Sequence, residues 1–144
     1  MAVSIQVTFD CADPDRLARF WAKLLGYELD PPPEGYESWE AWLIEQGVPE
    51  SEWNSASAVS DRDGSGPRIF FQRVPEDKQQ KNRVHLDVNA GGPRGTPPDE
   101  RRAAVDAAVE RAIALGATKM GLVEERGGRH YVMRDIEGNE FCLQ

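Results

Sequence analysis

The chain has 144 residues, of which 40% are hydrophobic, and a formal net charge of −8. That length suits one compact domain or two small fused modules. The acidity argues against a nucleic-acid partner, whose phosphates demand a basic surface, and no apolar run approaches the ~20 residues of a membrane-spanning helix.

Met1-Ala2-Val3-Ser4-Ile5 leads straight into an alternating strand pattern, without the basic region and long apolar stretch of a signal peptide. A cytoplasmic location is the expectation. Val3 to Cys11 reads as a strand, with Val7, Phe9 and Cys11 on one face and Gln6, Thr8 and Asp10 on the other. Asp13-Pro14 then starts a helix, with Asp13 as N-cap and Pro14 in its first turn. Leu17, Phe20, Trp21, Leu24 and Leu25 recur at helical spacing, and Gly26 ends the helix. Tyr27-Glu28-Leu29 begins a second strand, which Pro31-Pro32-Pro33 stops.

Trp39, Trp42, Leu43 and Gln46 suggest a short helix closed by Gly47, and Trp53 follows. Ser57 to Ser60 and Arg68 to Val74 read as strands, separated by the turn-rich Asp61 to Gly66. The order then repeats. Arg83 to Asn89 alternates, with Val84, Leu86 and Val88 set against His85, Asp87 and Asn89. A Gly- and Pro-rich loop leads to a helix from Asp99 to Leu115, capped by Gly116. Thr118 to Glu124, Arg129 to Arg134 and Glu140 to Leu143 are the closing strands. A repeat at ~75 residues is too long for a solenoid unit and reads as two related modules, about 1–76 and about 82–144, in one domain over 1–144.

Four segments carry a resemblance. They are Asp13-Pro14-Asp15-Arg16-Leu17-Ala18-Arg19-Phe20-Trp21, Phe71-Gln72-Arg73-Val74-Pro75-Glu76-Asp77-Lys78, Lys81-Asn82-Arg83-Val84-His85-Leu86-Asp87-Val88 and Asp135-Ile136-Glu137-Gly138-Asn139-Glu140-Phe141-Cys142. Leu115-Gly116-Ala117-Thr118 adds a weaker fifth piece. In this order they resemble the glyoxalase-like proteins of the vicinal-oxygen-chelate superfamily, the glyoxalase, bleomycin resistance protein and dioxygenase group. The resemblance implies an α+β fold of paired βαβββ modules, with curved mixed sheets around a shared cleft. It also implies a homodimer.

In metal-using relatives four strands each place one ligand in the cleft. Carried over position by position, these fall on Gln6, on Gln72 (with the register open), on His85 and on Cys142. The last position is usually a carboxylate, and here it is a cysteine. Such a set offers one imidazole, two neutral amides and one thiol, a poor match for hard cations. The usual metal centre is therefore not expected, and no cofactor is assigned. Asp10 and Asp87 share the polar faces, but a shift of two residues along a strand is ~6.6 Å and argues against simple replacement. His85 is either a general base or a histidine that only hydrogen-bonds in the cleft. Cys142 is a core thiol or, with a nearby base, a nucleophile. Cys11 and Cys142 form no metal-binding spacing.

Trp39 and Trp42 share a helix face. They anchor the inserted helix to the sheet or to a second subunit, or they form an aromatic wall for a ligand. The expected function is binding of a small organic molecule, with aromatic character suggested by Trp39 and Trp42, by Gln6, Gln72, His85 and Cys142. The alternatives are a metal-dependent lyase, isomerase or dioxygenase-like enzyme with a reduced ligand set, and a dimeric module whose aromatic insert contacts another protein.

Overall fold

The apolar face of Val7, Phe9 and Cys11 needs a layer to pack against, and the next segment supplies it. A computed structural model describes residues 1–144. Strand β1 (Val7–Cys11) is followed by helix α1 (Pro14–Leu25). Asp13 caps the helix by accepting from the Arg16 backbone N–H, and Gly26 closes it at φ 73°, a conformation that costs glycine little. Leu17, Phe20, Trp21 and Leu24 are buried. Trp21 lies 5.3 Å from the Phe9 ring and Phe9 lies 5.4 Å from Phe71.

Strand β2 (Glu28–Leu29), helix α2 (Trp39–Glu45), a one-turn 3-10 helix (Glu50–Glu52), β3 (Ala56–Ser60) and β4 (Ile69–Arg73) complete the first unit, Met1–Asp77. Its sheet runs β1-β4-β3-β2, with β1 parallel to β4 and the other pairs antiparallel.

The second unit, Lys78–Gln144, holds β5 (Leu86–Val88), helix α3 (Pro98–Ala114), β6 (Thr118–Glu125), β7 (Gly128–Arg134) and β8 (Glu140–Leu143). Its sheet runs β5-β8-β7-β6, again with one parallel pair at β5–β8. Val105, Ala108, Val109 and Ala112 of α3 are buried, as are Met133, Phe141 and Leu143 of the sheet. Ile113 of the same helix is 40% exposed.

Two expected strands are shorter than their alternation suggests. β4 starts at Ile69 and provides no ladder before Val7, so Val3 and Ile5 are 87% and 73% exposed. Likewise β5 begins only at Leu86, opposite Phe141, which leaves Val84 and His85 ahead of it.

The closing hairpin is locked by one side chain. Asp135 Oδ1 accepts from the Glu137 and Asn139 backbone N–H groups, at 2.9 and 3.0 Å, and the Asn139 amide donates to both carboxylate oxygens. Gly138 takes φ 85° between them. Asp135 and Asn139 are both buried, so these bonds satisfy groups that water does not reach. No helix is long and apolar enough to cross a membrane.

Candidate functional site

Side chains alternate across a strand, and residues opposite each other in a ladder share a face. The face of the first sheet that carries Thr8 and Asp10 also carries their ladder partners Phe70 and Gln72. Gln6 lies just ahead of the ladder, and its Oε1 accepts from Arg68 Nη1 at 2.6 Å. Arg68 Nε donates to Asp30 Oδ2 at 2.7 Å, and Ser60 Oγ donates to Asp30 Oδ1 at 2.6 Å. The Arg68 guanidinium also sits over the Phe70 ring, 5.5 Å from its centroid. At the other end of β1, Gln72 Nε2 donates to Asp10 Oδ1 at 2.7 Å.

This register decides a question that the alternation left open. Gln72 lies opposite Asp10, which is about 13 Å along the strand from Gln6 at ~3.3 Å per residue. The two glutamines therefore do not share one ligand shell. Beside Gln6 stands Arg68, a fixed cation that was not singled out from the sequence.

The aromatic insert is preorganised but not buried. Ser38 caps α2 by accepting from the Ala41 N–H at 3.1 Å. The Trp39 and Trp42 rings meet edge to face, 5.7 Å apart, and Trp39 Nε1 donates to the Asp30 carbonyl at 2.9 Å. No residue of α2 is buried, and Trp39 is 43% exposed. Trp53 is tied by its indole N–H to the Val48 carbonyl at 3.0 Å.

In the second unit, His85, Asp87 and Cys142 bring an imidazole, a carboxylate and a thiol together, with their donor atoms all within 4.8 Å of one another. Asp87 lies opposite Cys142 in the parallel ladder, and His85 Nε2 is 3.3 Å from Asp87 Oδ1. Two residues along a strand separate the His85 and Asp87 backbones by ~6.6 Å, and their side chains close that gap. Cys142 is buried, while His85 and Asp87 are partly open to solvent. Burial, and then the neighbouring Asp87 carboxylate, push the Cys142 thiol up, with Lys81 opposing weakly. An unliganded Cys142 is a thiol at neutral pH, which speaks against an activated nucleophile.

Glu140 is on the same face. Its carboxylate accepts from the Asn82 N–H at 2.9 Å and meets Lys78 Nζ at 3.3 Å and Arg134 Nε at 3.7 Å. Burial pushes its pKa up, but the backbone N–H groups of Asn82 and of Glu140 itself and the Lys78 ammonium outweigh that and hold it at about 2. His130, on β7 opposite Val123, has no comparable cluster around it.

A divalent metal at the four implied positions would need open amide oxygens from Gln6 and Gln72. Gln6 Oε1 is taken by a guanidinium, whose charge opposes a cation, and Gln72 is held at a different place on the sheet. The four-position set does not fit. The three donors of the second unit, nitrogen, oxygen and sulfur, do form a chemically sound ligand set for a borderline-soft ion.

Comparisons with known proteins agree with the fold. Residues 6–144 match the glyoxalase-like domain family. No curated protein sequence matches the chain. The fosfomycin resistance protein FosX from Mesorhizobium loti is 14% identical at a TM-score of 0.64, covering 100% of this chain and 91% of its own. A glyoxalase/bleomycin resistance protein/dioxygenase family enzyme from Burkholderia phytofirmans PsJN is 17% identical at a TM-score of 0.60, covering 96% of this chain and 94% of its own. A FosX variant from Listeria monocytogenes, complexed with Mn(II) and 1S,2S-dihydroxypropylphosphonic acid, is 15% identical at a TM-score of 0.61, with 100% and 90% covered. At these identities the likeness is one of fold. Its two βαβββ units, each with a four-stranded mixed sheet, together with the family match over residues 6–144, show that the chain belongs to the glyoxalase-like domain family of the vicinal-oxygen-chelate superfamily.

Proposed function

We propose that the chain binds a small organic molecule with aromatic character, without the four-position metal centre of metal-using relatives. The observation that carries this reading is the unburied aromatic pair Trp39 and Trp42, held edge to face and pinned by the Trp39 indole to Asp30. Rings fixed in advance lose little freedom when a ligand stacks on them. Polar groups near the same strand end, Gln6, Arg68 and Asp30, supply hydrogen-bonding partners for substituents on the ligand.

The test is a fluorescence titration with a panel of planar aromatic compounds. Saturable quenching is expected, weakened at least about tenfold by Trp39→Ala, one tenfold step being about 1.4 kcal/mol. A flat signal across the panel, or a response unchanged by Trp39→Ala and Trp42→Ala, overturns the reading. The homodimer implied by the resemblance belongs to the same proposal, and sedimentation as a monomer at micromolar concentration removes it.

The gathering of His85, Asp87 and Cys142 favours a second reading, a metal-dependent lyase, isomerase or dioxygenase-like enzyme with a reduced ligand set. A turnover that needs added metal and is lost in His85→Ala would support it over the first.

A further inference from the structure

We infer that Arg68 selects the ligand, and that the ligand is a planar aromatic molecule with a neutral carbonyl oxygen at its edge, as in an aryl amide or an aryl ketone. The inference rests on the aromatic-ligand reading and names the chemistry that the polar end of that site takes. It uses residues of the first unit alone.

The guanidinium is fixed in place by the fold. Nε donates to Asp30 Oδ2 at 2.7 Å, Nη1 donates to Gln6 Oε1 at 2.6 Å, and the group lies over the Phe70 ring. Asp30 is held in turn by Ser60 Oγ at its other oxygen. Nη2, with two N–H groups, makes no hydrogen bond within the chain. The Arg68 side chain is 41% exposed against 19% for Asp30, so a ligand meets the guanidinium edge before the carboxylate. The Asp30 backbone carbonyl also accepts from the Trp39 indole, and one residue therefore ties the aromatic pair to the guanidinium. A ring laid against Trp39 finds a rigid donor edge one residue away. Because that edge is already ordered, a hydrogen bond to it costs little side-chain freedom.

Charge decides which substituent fits. A guanidinium only donates, so an ammonium finds no partner at Nη2 and is repelled by it. A carboxylate finds the donors, but the Asp30 carboxylate already balances Arg68 at contact distance, and Gln6 adds no charge. An incoming anion meets attraction and repulsion of similar size, which largely cancel, while it gives up its hydration. The net charge of −8 adds to that penalty. A neutral carbonyl gives up less water and still accepts a charge-assisted hydrogen bond. The balanced Arg68–Asp30 pair thus acts as a fixed dipole that favours a neutral acceptor over either ion.

Calorimetric titration with four naphthalene compounds tests this. The ring carries a carboxamide, a carboxylate, an aminomethyl group (an ammonium at neutral pH) or only a methyl group. The carboxamide is expected to bind at least about tenfold tighter than the methyl compound, and tighter than either ion. This series needs no variant to fold. Arg68→Lys keeps a charge beside Asp30 but removes the planar fork, and the carboxamide should fall to the affinity of the methyl compound. Asp30→Asn is nearly isosteric and keeps the backbone carbonyl that holds Trp39. It leaves Arg68 uncompensated, so the carboxylate should overtake the carboxamide. If none of the four compounds binds, the aromatic reading fails and this inference fails with it. Three outcomes overturn the inference while the aromatic reading stands: a methyl compound that binds as well as the carboxamide, a carboxamide advantage that survives Arg68→Lys, or a carboxylate that binds tightest to the unsubstituted protein. A carboxylate that stays behind the carboxamide in Asp30→Asn overturns it as well.

Discussion

The parallel ladders of the two units correspond place by place, and their open faces carry different chemistry. In the first, Gln6 and Arg68 precede the pair Val7 and Ile69, and Thr8 faces Phe70 in the next step. In the second, His85 and Glu140 precede Leu86 and Phe141, and Asp87 faces Cys142. Where one sheet holds a guanidinium, the other holds a buried carboxylate. Where one holds a hydroxyl and a phenyl ring, the other holds a carboxylate and a thiol. The inward faces, in contrast, are alike: Val7, Phe9, Ile69 and Phe71 in one unit, Leu86, Val88, Phe141 and Leu143 in the other. The packing face builds the fold, and the open face is free to vary in charge and function.

If this division holds, core substitutions should cost most. Phe71→Ala and Phe141→Ala, each at a fully buried ring, should each remove about 3–5 kcal/mol, read from denaturant midpoints. A loss under about 1 kcal/mol at either would break the equivalence of the two inward faces. Asp135→Ala should come next, because it strips the Asn139 N–H of its buried partner. A cost of about 1–3 kcal/mol is expected, and it should fall on the second unit, which holds this hairpin.

Glu140 sharpens the contrast through pH. Its carboxyl titrates at about 2 in the folded protein, against an ordinary value of 4.5. A depressed pKa means stability that is fully present above about 4.5 and lost as pH falls toward 2. The gap in Tm between the unsubstituted protein and Glu140→Gln should therefore be constant above pH 4.5 and close progressively below it. A gap independent of pH would contradict the Lys78 and Asn82 contacts as its source. The smallest effect belongs to Arg19→Ala, which breaks the exposed i,i+4 pair with Asp15 on α1 and should change stability by less than about 0.5 kcal/mol.

The elements fixed by local chemistry were legible. Asp13-Pro14 and Gly26 bound α1 as the cap residues require, and Glu137-Gly138-Asn139 marks the hairpin. The α+β architecture followed from the repeat and the resemblance. The long-range register was not legible, because a period of two does not say which residue of β4 stands beside Gln6. The parallel pairing puts Arg68 there, and the place corresponding to Cys142 is Phe70 rather than Gln72. Nor could spacing alone show that His85, placed before the ladder begins, brings its ring to Asp87. That needs side-chain reach, which one-dimensional counting omits. The sequence signal for Asp87 is its shared face with His85, which backbone distance alone obscures.

The three-residue strand β5 has a kinetic consequence. It is an edge strand held only by β8, and its pairing with β8 closes the long stretch of chain between Leu86 and Phe141. The β7–β8 hairpin closes locally and belongs to the microsecond class of events, whereas long loops are closed late because their entropy must be overcome first. Cys142 is therefore expected to be in place on the hairpin before β5 docks and brings Asp87, with His85 just ahead of it. In the folded state the order reverses: the amide protons of Leu86 to Val88 should exchange before those of Phe141 to Leu143. Anything that ties His85 or Asp87 to Cys142 slows the opening of this seam.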